Sequence, residues 1–242
     1  VGPPMTLSLP NVVLITGTST EVGKTVATAA IACALRARGT DVTVVKVAQT
    51  GVDSDEDGDA AVVEHFTSAL PGGAVPTREL VRLPEPLAPD VAARRAGVTI
   101  PTVGDHVRTI SEISRTHSIV LVEGSGGLLV HLDARGGTLA DIGVGLRYKG
   151  VSCGAVLVAA AGLGTLNHSA LTAEALQARH IPLLGVVLGS WPTQPDLAEE
   201  CNVTDLPRVA GTTLWGQVPA GIGQLAPTAF AAAAPGWLPA LA

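Results

Sequence analysis

The sequence VVLITGTSTEVGKT, from Val12 to Thr25, decides the predicted fold. Its first four residues form a short apolar run that is typical of a buried strand, and a loop with two glycines and a lysine follows. The residues from Thr25 to Gly39 are rich in alanine and predict a helix that ends at that glycine. Strand, loop and helix therefore follow one another in the order of a phosphate-binding loop.

The loop GTSTEVGKT (17–25) contains the groups that bind phosphate. Backbone amides at the start of a helix surround anionic oxygens, the Lys24 ammonium reaches the β- and γ-phosphates, and the Thr25 hydroxyl is a candidate Mg²⁺ ligand. The strict pattern G-x-x-x-x-G-K-[ST] requires glycine at position 18, where this chain has Thr18 after Gly17. We interpret the segment as a variant P-loop, which by itself leaves switch, motor and synthetase functions open.

Further apolar runs predict strands that are buried on both faces of a parallel sheet. They are VTVVKV (42–47), IVLV (119–122), AVLVAA (155–160) and LLGVVLG (183–189). Helices are predicted at 59–69, 101–116, 138–147 and 167–179, the last with Asn167 as its N-cap. The segment 71–90, rich in Pro and Gly, is predicted to be a surface excursion over one edge of the sheet. This alternation predicts one α/β domain over residues 1–242, with a doubly wound, mainly parallel sheet flanked by helices.

Composition and charge favour a globular protein with a small ligand. Hydrophobic residues make up 47% of the chain, which is enough for a substantial core, and the formal net charge is −6. The Lys and Arg residues are scattered, so the chain lacks the basic surface that nucleic-acid binding needs. The three cysteines form no C-x-x-C pair, and the sequence shows neither a signal-peptide pattern nor an apolar membrane segment. We expect a soluble cytoplasmic protein, and we leave Val1–Pro4, which precede Met5, out of the fold prediction.

Charged residues end two other predicted strands. Lys46 lies at the end of the second apolar run, and Glu123 follows the third, directly before glycine-rich sequence. Ligands in doubly wound folds bind beyond the carboxyl ends of the strands, so both side chains are expected near the P-loop. A surface lysine is the alternative for Lys46. A carboxylate at position 123 is a candidate Mg²⁺ ligand, and it excludes the serine-hydrolase pattern G-x-S-x-G around Ser125.

Four segments together, in this order and spacing, resemble the dethiobiotin synthetases of biotin biosynthesis. They are GTSTEVGKT (17–25), KVAQTG (46–51), EGSGG (123–127) and GLGTLNH (162–168). The resemblance implies a homodimeric, P-loop NTPase-like fold and an ATP- and Mg²⁺-dependent ligase (a cyclo-ligase). In that reaction 7,8-diaminononanoate takes up CO₂ as a carbamate, ATP converts the carbamate to a carbamic-phosphoric anhydride, and the second amine closes the ureido ring. ADP and phosphate are released.

The resemblance also assigns roles to positions of this chain. Lys46 and Lys24 would be catalytic, stabilising the carbamate and the transferring phosphoryl group. Mg²⁺ would be bound by Thr25, Asp59 and Glu123, with Asp57 as the other candidate for Asp59. The nucleotide-binding residues would be Glu21, Val22, Gly23, Lys24, Thr25, Val26, Asp59, Glu123, Gly124, Ser125, Gly126, Gly189, Ser190, Pro219, Ala220 and Gly221. The substrate-binding residues would be Thr20, Lys46, Thr50, Gly164, Thr165, Leu166 and Asn167, with the last four acting across the dimer.

The stretch DSDEDGDAAVVE (53–64) matches the calcium-loop pattern D-x-D-x-D-G-x5-E letter by letter. A calcium loop lies between two helices and usually pairs with a second loop, whereas here a predicted strand precedes the stretch and the sequence has no second copy. We interpret it as an acidic turn ahead of a helix that begins near Asp59.

A partition-type ATPase that acts as a nucleotide-driven dimerisation switch is the alternative function. Such proteins carry an additional lysine early in the P-loop, and the stretch 17–22 has none. A cobyrinic-acid-type amidotransferase would need a glutaminase Cys–His pair, for which the chain shows no motif. The sequence therefore favours the synthetase.

The nucleotide preference is testable because this chain departs from the family pattern. Members of the family that select adenine typically have Asn-Asp where this chain has Gly189-Ser190, and Val47 replaces the proline that usually follows the catalytic lysine. We expect CTP or GTP to support turnover in addition to ATP. Parallel rate measurements with the three nucleotides test this, and strict dependence on ATP contradicts it.

Overall fold

The computed structural model describes residues 8–241, so Val1–Pro4 lie outside the described part of the chain. The strands of the described chain are β1 (Val12–Gly17), β2 (Val42–Lys46), β3 (Gln49–Thr50), β4 (Thr77–Glu79), β5 (Arg82–Leu83), β6 (Ile119–Gly127), β7 (Cys153–Ala159), β8 (Leu183–Trp191) and β9 (Leu214–Pro219). Seven of them form one sheet in the order β4-β2-β6-β1-β7-β8-β9, and β3 pairs with β5 separately. Every neighbouring pair is parallel, which confirms the predicted doubly wound sheet.

The α-helices of the described residues lie on both faces of the sheet. They are α1 (Lys24–Ala37), α2 (Asp59–Thr67), α3 (Pro89–Ala96), α4 (Val103–Ile113), α5 (Leu139–Tyr148), α6 (Thr165–Gln177), α7 (Leu197–Ala210) and α8 (Pro227–Trp237). Alternate residues of β1 point to opposite sides: Val13 and Ile15 pack with α1, α2 and α8, while Val12 and Leu14 pack with α4 and α5. Because both faces are covered, the strands are continuous apolar runs.

The starts of the helices differ in how their first backbone amides are capped. Capping boxes close α4, α5 and α7, formed by Thr102 with Asp105, Thr138 with Asp141, and Asp196 with Glu199. Glycines precede α1, α2 and α6, so no side chain of the capping residue covers those amides. These three helices follow the carboxyl ends of strands, as α5 and α7 also do.

Several sequence predictions need correction. The segment 71–90 does not simply cross the surface, because Thr77–Glu79 forms the edge strand β4 beside β2 and α3 begins at Pro89. Edge strands of three polar residues have no apolar run to reveal them. Asn167 is not an N-cap, because Gly164 (φ 89°) caps α6 and Asn167 is already helical. The sequence prediction also missed α3, α7, β9 and α8.

No helix within the described residues 8–241 is long and apolar enough to cross a membrane.

The buried histidine His106 on α4 makes the stability of the fold depend on pH. Its side chain is 1% exposed, and neither ring nitrogen has a hydrogen-bond partner within the described residues. Burial lowers the pKa of His106 from 6.5, and the opposing effect of Asp105 and Asp133 is smaller. The folded state thus favours the neutral imidazole of His106. The free energy of unfolding is therefore highest above pH 6.5, where His106 is neutral in both states, and it falls as the pH drops towards the folded-state pKa of His106.

When the pH is lowered from 7.5 to 5.5, we expect the urea midpoint of the wild type to decrease more than the urea midpoint of His106→Leu. At pH 7.5 the wild-type midpoint should be no higher than that of the variant, because the buried imidazole lacks hydrogen-bond partners. The exposed His65→Gln serves as the control and should follow the wild type. Equal pH dependence in the wild type and His106→Leu contradicts this account.

Candidate active site

The P-loop joins β1 to α1 in a strained conformation. Gly23 (φ 87°) and Glu21 (φ 58°) both adopt left-handed backbone angles, and among the described residues only Glu21 and His180 do so without being glycine. A left-handed non-glycine residue costs on the order of 1–3 kcal/mol and is found mainly at functional sites. The Lys24 ammonium donates a hydrogen bond to the carbonyl of Ser19 at 2.8 Å, so the lysine lies across its own loop.

Steric contacts explain why this variant P-loop has a glycine at position 17, one residue before the glycine of the strict pattern. A Cβ atom on Gly17 would lie 2.8 Å from the Ser19 carbonyl oxygen, 2.9 Å from Val22 and 3.1 Å from the Lys24 side chain. The loop therefore folds back over position 17 and leaves no room for a side chain there, which explains the glycine.

Glu123 connects the P-loop helix to β2. Its carboxylate is 1% exposed and accepts hydrogen bonds from the hydroxyls of Thr25 (2.9 Å) and Thr28 (2.7 Å). The Lys46 ammonium lies 2.8 Å from the same carboxylate and donates to the carbonyl of Gly124 at 3.1 Å. Burying an isolated carboxylate costs several kcal/mol, and hydrogen bonds to charged groups return about 1.5–3 kcal/mol each, so these partners offset the cost of burying Glu123.

Asp59 reaches the same lysine from the start of α2. Its carboxylate oxygen lies 2.5 Å from the Lys46 ammonium, and its backbone amide donates to Oε1 of Gln49 at 2.8 Å. Gln49 thus takes the place of a capping side chain that Gly58 does not have. Lys46 is therefore held between two carboxylates, one nearly fully buried and one about a third exposed.

The acidic stretch before α2 is a turn that follows β3, as the sequence predicts. The Arg82 guanidinium donates to the backbone carbonyls of Asp53 and Glu56, both at 2.7 Å, and pairs with Glu79 at 2.7 Å. These contacts hold the turn in place. Asp57 is exposed, whereas Asp59 faces Lys46, so the geometry favours Asp59 as the second acidic residue of the site.

The pKa values of the two lysines are shifted in opposite directions. Burial would lower the pKa of Lys46, but the carboxylates of Glu123 and Asp59 outweigh it and raise the pKa above 10.5. Burial lowers the pKa of Lys24, and repulsion from the Lys46 cation lowers it further, more than the two carboxylates raise it. Lys46 is therefore a permanent cation at neutral pH and is unsuited to act as a base.

A cavity of about 480 Å³ opens between the P-loop, the end of β2, the start of α2 and the end of β6. The predicted site residues that line it are Thr20, Glu21, Gly23, Lys24, Thr25, Val26, Lys46, Thr50, Asp59, Glu123, Ser125 and Gly126. The structure thus brings the predicted phosphate, metal and catalytic positions together around one space. Ala48 and Gln49, which the sequence analysis did not select, also line it.

Other predicted positions lie outside this cavity lining in the described chain. Gly189 and Ser190 lie near the end of β8, where the Gly189 backbone packs against Val22 and Gly23 of the P-loop. Pro219 ends β9, Ala220 donates its amide to the Trp191 carbonyl at 2.7 Å, and Gly221 follows with φ 76°. Val22 of the P-loop and Gly124 of β6 are buried and do not line the cavity either. The remaining predicted positions are at the start of α6, namely Gly164, Thr165, Leu166 and Asn167.

The functional residues missed from the sequence act through tertiary contacts. Gln49 follows Lys46 in KVAQTG, and Thr28 lies one helical turn after Thr25. The i, i+3 spacing of Thr25 and Thr28 was the available signal, since it places both hydroxyls on one face of α1.

The donor set fits Mg²⁺. The hydroxyl of Thr25 and the carboxylates of Glu123 and Asp59 are hard oxygen donors around the Lys46 ammonium. Mg²⁺ is usually held by one or two carboxylates together with substrate phosphates and water. Within residues 8–241, no cluster of three or more His, Cys, Asp or Glu side chains is arranged for a metal, so the described chain offers this mixed set rather than a zinc-type cage.

The fold and this site define a P-loop nucleotide-binding α/β protein. Solved structures agree at the level of the fold. The MinC:MinD cell division complex of Aquifex aeolicus matches with a TM-score of 0.52 and 14% identity, covering 92% of this chain and 86% of that chain. A ParA family ATPase from Chlorobium tepidum matches with a TM-score of 0.52 and 11% identity, covering 91% and 90%.

Sequence relatives narrow the class further. A family model described as an AAA domain matches residues 11–225. The ATP-dependent dethiobiotin synthetase BioD of Streptomyces avermitilis is 52% identical over 94% of this chain and 92% of its own length. That of Rhodococcus jostii is 50% identical over 94% of each. The chain belongs to the dethiobiotin synthetase family, which confirms the resemblance seen in its motifs.

The contact between the P-loop and β8 gives a prediction for Gly189. A Cβ atom on Gly189 would lie 2.0 Å from the Val22 carbonyl oxygen and 2.5 Å from Val158. We expect Gly189→Ala to displace the P-loop, costing about 1–3 kcal/mol of stability, as overpacking does. Nucleotide affinity should fall by about tenfold, equivalent to about 1.4 kcal/mol.

Calorimetric titration and thermal unfolding measure both effects. Gly236→Ala on α8 is the matched control, because a Cβ there meets nothing within 4 Å. Wild-type nucleotide affinity in Gly189→Ala contradicts the prediction.

Proposed function

We propose that this protein catalyses the ATP-dependent synthesis of dethiobiotin from 7,8-diaminononanoate and CO₂, with release of ADP and phosphate. The observation that carries the proposal is the meeting of three chain segments at one cavity. Lys46 of β2 lies 2.8 Å from Glu123 of β6 and 2.5 Å from Asp59 of α2, directly beside the P-loop. The family membership shown by relatives of about 50% identity supports the same function.

The P-loop residues would bind the triphosphate. Free amides at the start of α1 point to the edge where β1 ends, and the positive end of the helix dipole favours anionic oxygens there. Lys24 would exchange its hydrogen bond to the Ser19 carbonyl for one to the β- and γ-phosphates. Val26, Gly23 and Glu21 complete the wall of the cavity on this side.

Lys46 would stabilise the charge that moves from ATP to the carbamate. A carbamate is a poor acyl donor until an oxygen of the carbamate is phosphorylated, and the transferring phosphoryl group carries charge on its outer oxygens. The raised pKa keeps Lys46 protonated, and its two carboxylate partners fix its position before substrate binds. A fixed cation in a closed site stabilises developing negative charge without reorganisation.

Thr25, Asp59 and Glu123 would hold Mg²⁺, which would neutralise negative charge on the phosphates. Glu123 and the amides near Ser125 and Gly126 would line the reaction centre, and Thr50 and Thr20 would contact the diamine end of the substrate. All of these positions line the same cavity.

The start of α6 would bind the distant carboxylate of the substrate, from the partner subunit of a homodimer. Its capping residue is Gly164, so the amides of the first turn carry the positive end of the helix dipole. Leu163, just before α6, and Leu171, within α6, are 91% and 56% exposed, which supports burial against another subunit. We also propose that the protein works in the cytoplasm, where ATP is available.

A partition-type switch is the second candidate function. Its support is the likeness to the MinD and ParA structures, which have 14% and 11% identity and indicate the fold alone. The synthetase proposal is preferred because the sequence relatives named dethiobiotin synthetase are far more similar.

The proposal is tested by incubating the protein with diaminononanoate, bicarbonate, Mg²⁺ and ATP and measuring dethiobiotin and phosphate. Lys46→Ala is expected to lower kcat by about 10²–10³-fold, the loss typical of removing one transition-state donor. Nucleotide affinity should remain close to that of the wild type. The exposed Lys149→Ala is the control and should retain full activity.

Two outcomes contradict the proposal. Phosphate release that is independent of the diamine, without dethiobiotin, favours the switch. Undiminished synthesis by Lys46→Ala removes Lys46 from the mechanism.

A further inference from the structure

The two carboxylate oxygens of Glu123 bind different partners. Oε1 accepts hydrogen bonds from the Thr25 hydroxyl at 2.9 Å and from the Lys46 ammonium at 2.8 Å. Oε2 accepts a hydrogen bond from the Thr28 hydroxyl at 2.7 Å. Glu123 is 1% exposed and Thr28 is 0% exposed, so the last contact is sealed from solvent.

The partners of Oε1 and Oε2 lie on different sides of Glu123. Thr25 and Lys46 line the cavity, whereas Thr28 is not among the described residues that line it. Thr28 lies one helical turn further along α1, on the same face as Thr25. It therefore contacts the carboxylate from the protein interior, while the other two contact it from the cavity side.

A buried helical threonine often has a purely structural explanation. The Thr28 hydroxyl lies 2.9 Å from the carbonyl of Lys24, the back-bonding contact of a threonine inside a helix. A hydroxyl has one proton to donate, and the Glu123 oxygen is both closer, at 2.7 Å, and charged. Because hydrogen bonds to ionised acceptors are the stronger ones, the proton goes to Glu123.

We propose that Thr28 is a positioning residue that holds Glu123 by Oε2, so that Oε1 stays turned towards the cavity. The role rests on the proposed function, in which Thr25 would bind the metal and Lys46 the transferring phosphoryl group. Thr25 and Lys46 would then weaken their hydrogen bonds to Oε1 of Glu123. The bond from Thr28 to Oε2 needs no such change, so it would keep the orientation of Glu123 when nucleotide and metal enter.

Variants at position 28 test this role with a readout that a structural role does not move. Nucleotide affinity is measured by calorimetry in Mg²⁺ and in EDTA, for the wild type and for Thr28→Val, Thr28→Ala and Thr28→Ser. In the first two variants the enhancement of affinity by Mg²⁺ is expected to fall about 10–100-fold, while affinity in EDTA stays within about twofold. Thr28→Ser keeps the hydroxyl and should restore the wild-type enhancement.

Turnover should show the same pattern. In Thr28→Val, kcat is expected to fall by about tenfold or more and the Mg²⁺ concentration for half-maximal rate to rise, with KM for the diamine unchanged. Thr67→Val is the matched control, because Thr67 is also 0% exposed and back-bonds within its helix, to Val63, at 2.8 Å. It should lower the unfolding midpoint without altering the response to Mg²⁺.

Three results overturn the proposal: wild-type Mg²⁺ enhancement in Thr28→Val and Thr28→Ala, a Thr28→Ser variant as impaired as Thr28→Val, or an altered Mg²⁺ response in Thr67→Val. If Thr28→Val does not fold, Thr28→Ala, which leaves more room beside the carboxylate, decides the matter with Thr28→Ser. Metal-dependent nucleotide binding does not depend on the product formed. Failure of the proposed synthesis is seen separately, as a wild type that makes no dethiobiotin.

Discussion

The ion pair between Lys46 and Glu123 is the interaction on which the site depends. Position 46 of β2 lies directly opposite position 123 of β6 in the parallel register, so the two charged side chains come from adjacent strands at the same edge of the sheet. On the other edge of β6, Ile15 of β1 lies opposite Glu123 in the parallel register, which brings the P-loop to the other side of the carboxylate. A shift of one residue would turn the side chains to the opposite face and separate them.

The surrounding structure keeps this pair in place from several directions. Gln49 binds the first amide of α2 and thereby directs Asp59 towards Lys46. The Arg82 guanidinium holds the acidic turn that precedes α2. On the far side of the P-loop, the close backbone contact of Gly189 with Val22 limits how far the loop can move. The nucleotide-binding edge is therefore preorganised by contacts that do not themselves involve phosphate.

Local patterns made the centre of the fold and much of the site predictable from sequence. The P-loop is contiguous, so its strand, loop and helix could be read together, and the strand-end rule placed Lys46 and Glu123 beside it. Most of the residues that line the cavity around them were predicted for the site, whereas Ala48 and Gln49 were not. A strand precedes the acidic stretch 53–64, as the sequence predicts, whereas a calcium loop follows a helix.

Other features depend on tertiary context. The edge strand Thr77–Glu79 is defined by its pairing with β2, not by its own polar residues. The sequence favoured Asn167 as a cap by its intrinsic preference, but the left-handed Gly164 starts α6 earlier. Thr28 and Gln49 are ordinary residues in their local sequence. They matter because the fold brings their side chains to Glu123 and to the start of α2.

The most direct test of the central claim is a crystal structure of the protein with Mg²⁺ and a non-hydrolysable ATP analogue. We expect the Lys46 ammonium to lie within about 3 Å of a terminal phosphate oxygen. We also expect Glu123 and Asp59 to face the metal and the Thr28 hydroxyl to remain bound to Glu123. A structure in which Lys46 or Glu123 points away from the terminal phosphate would contradict it.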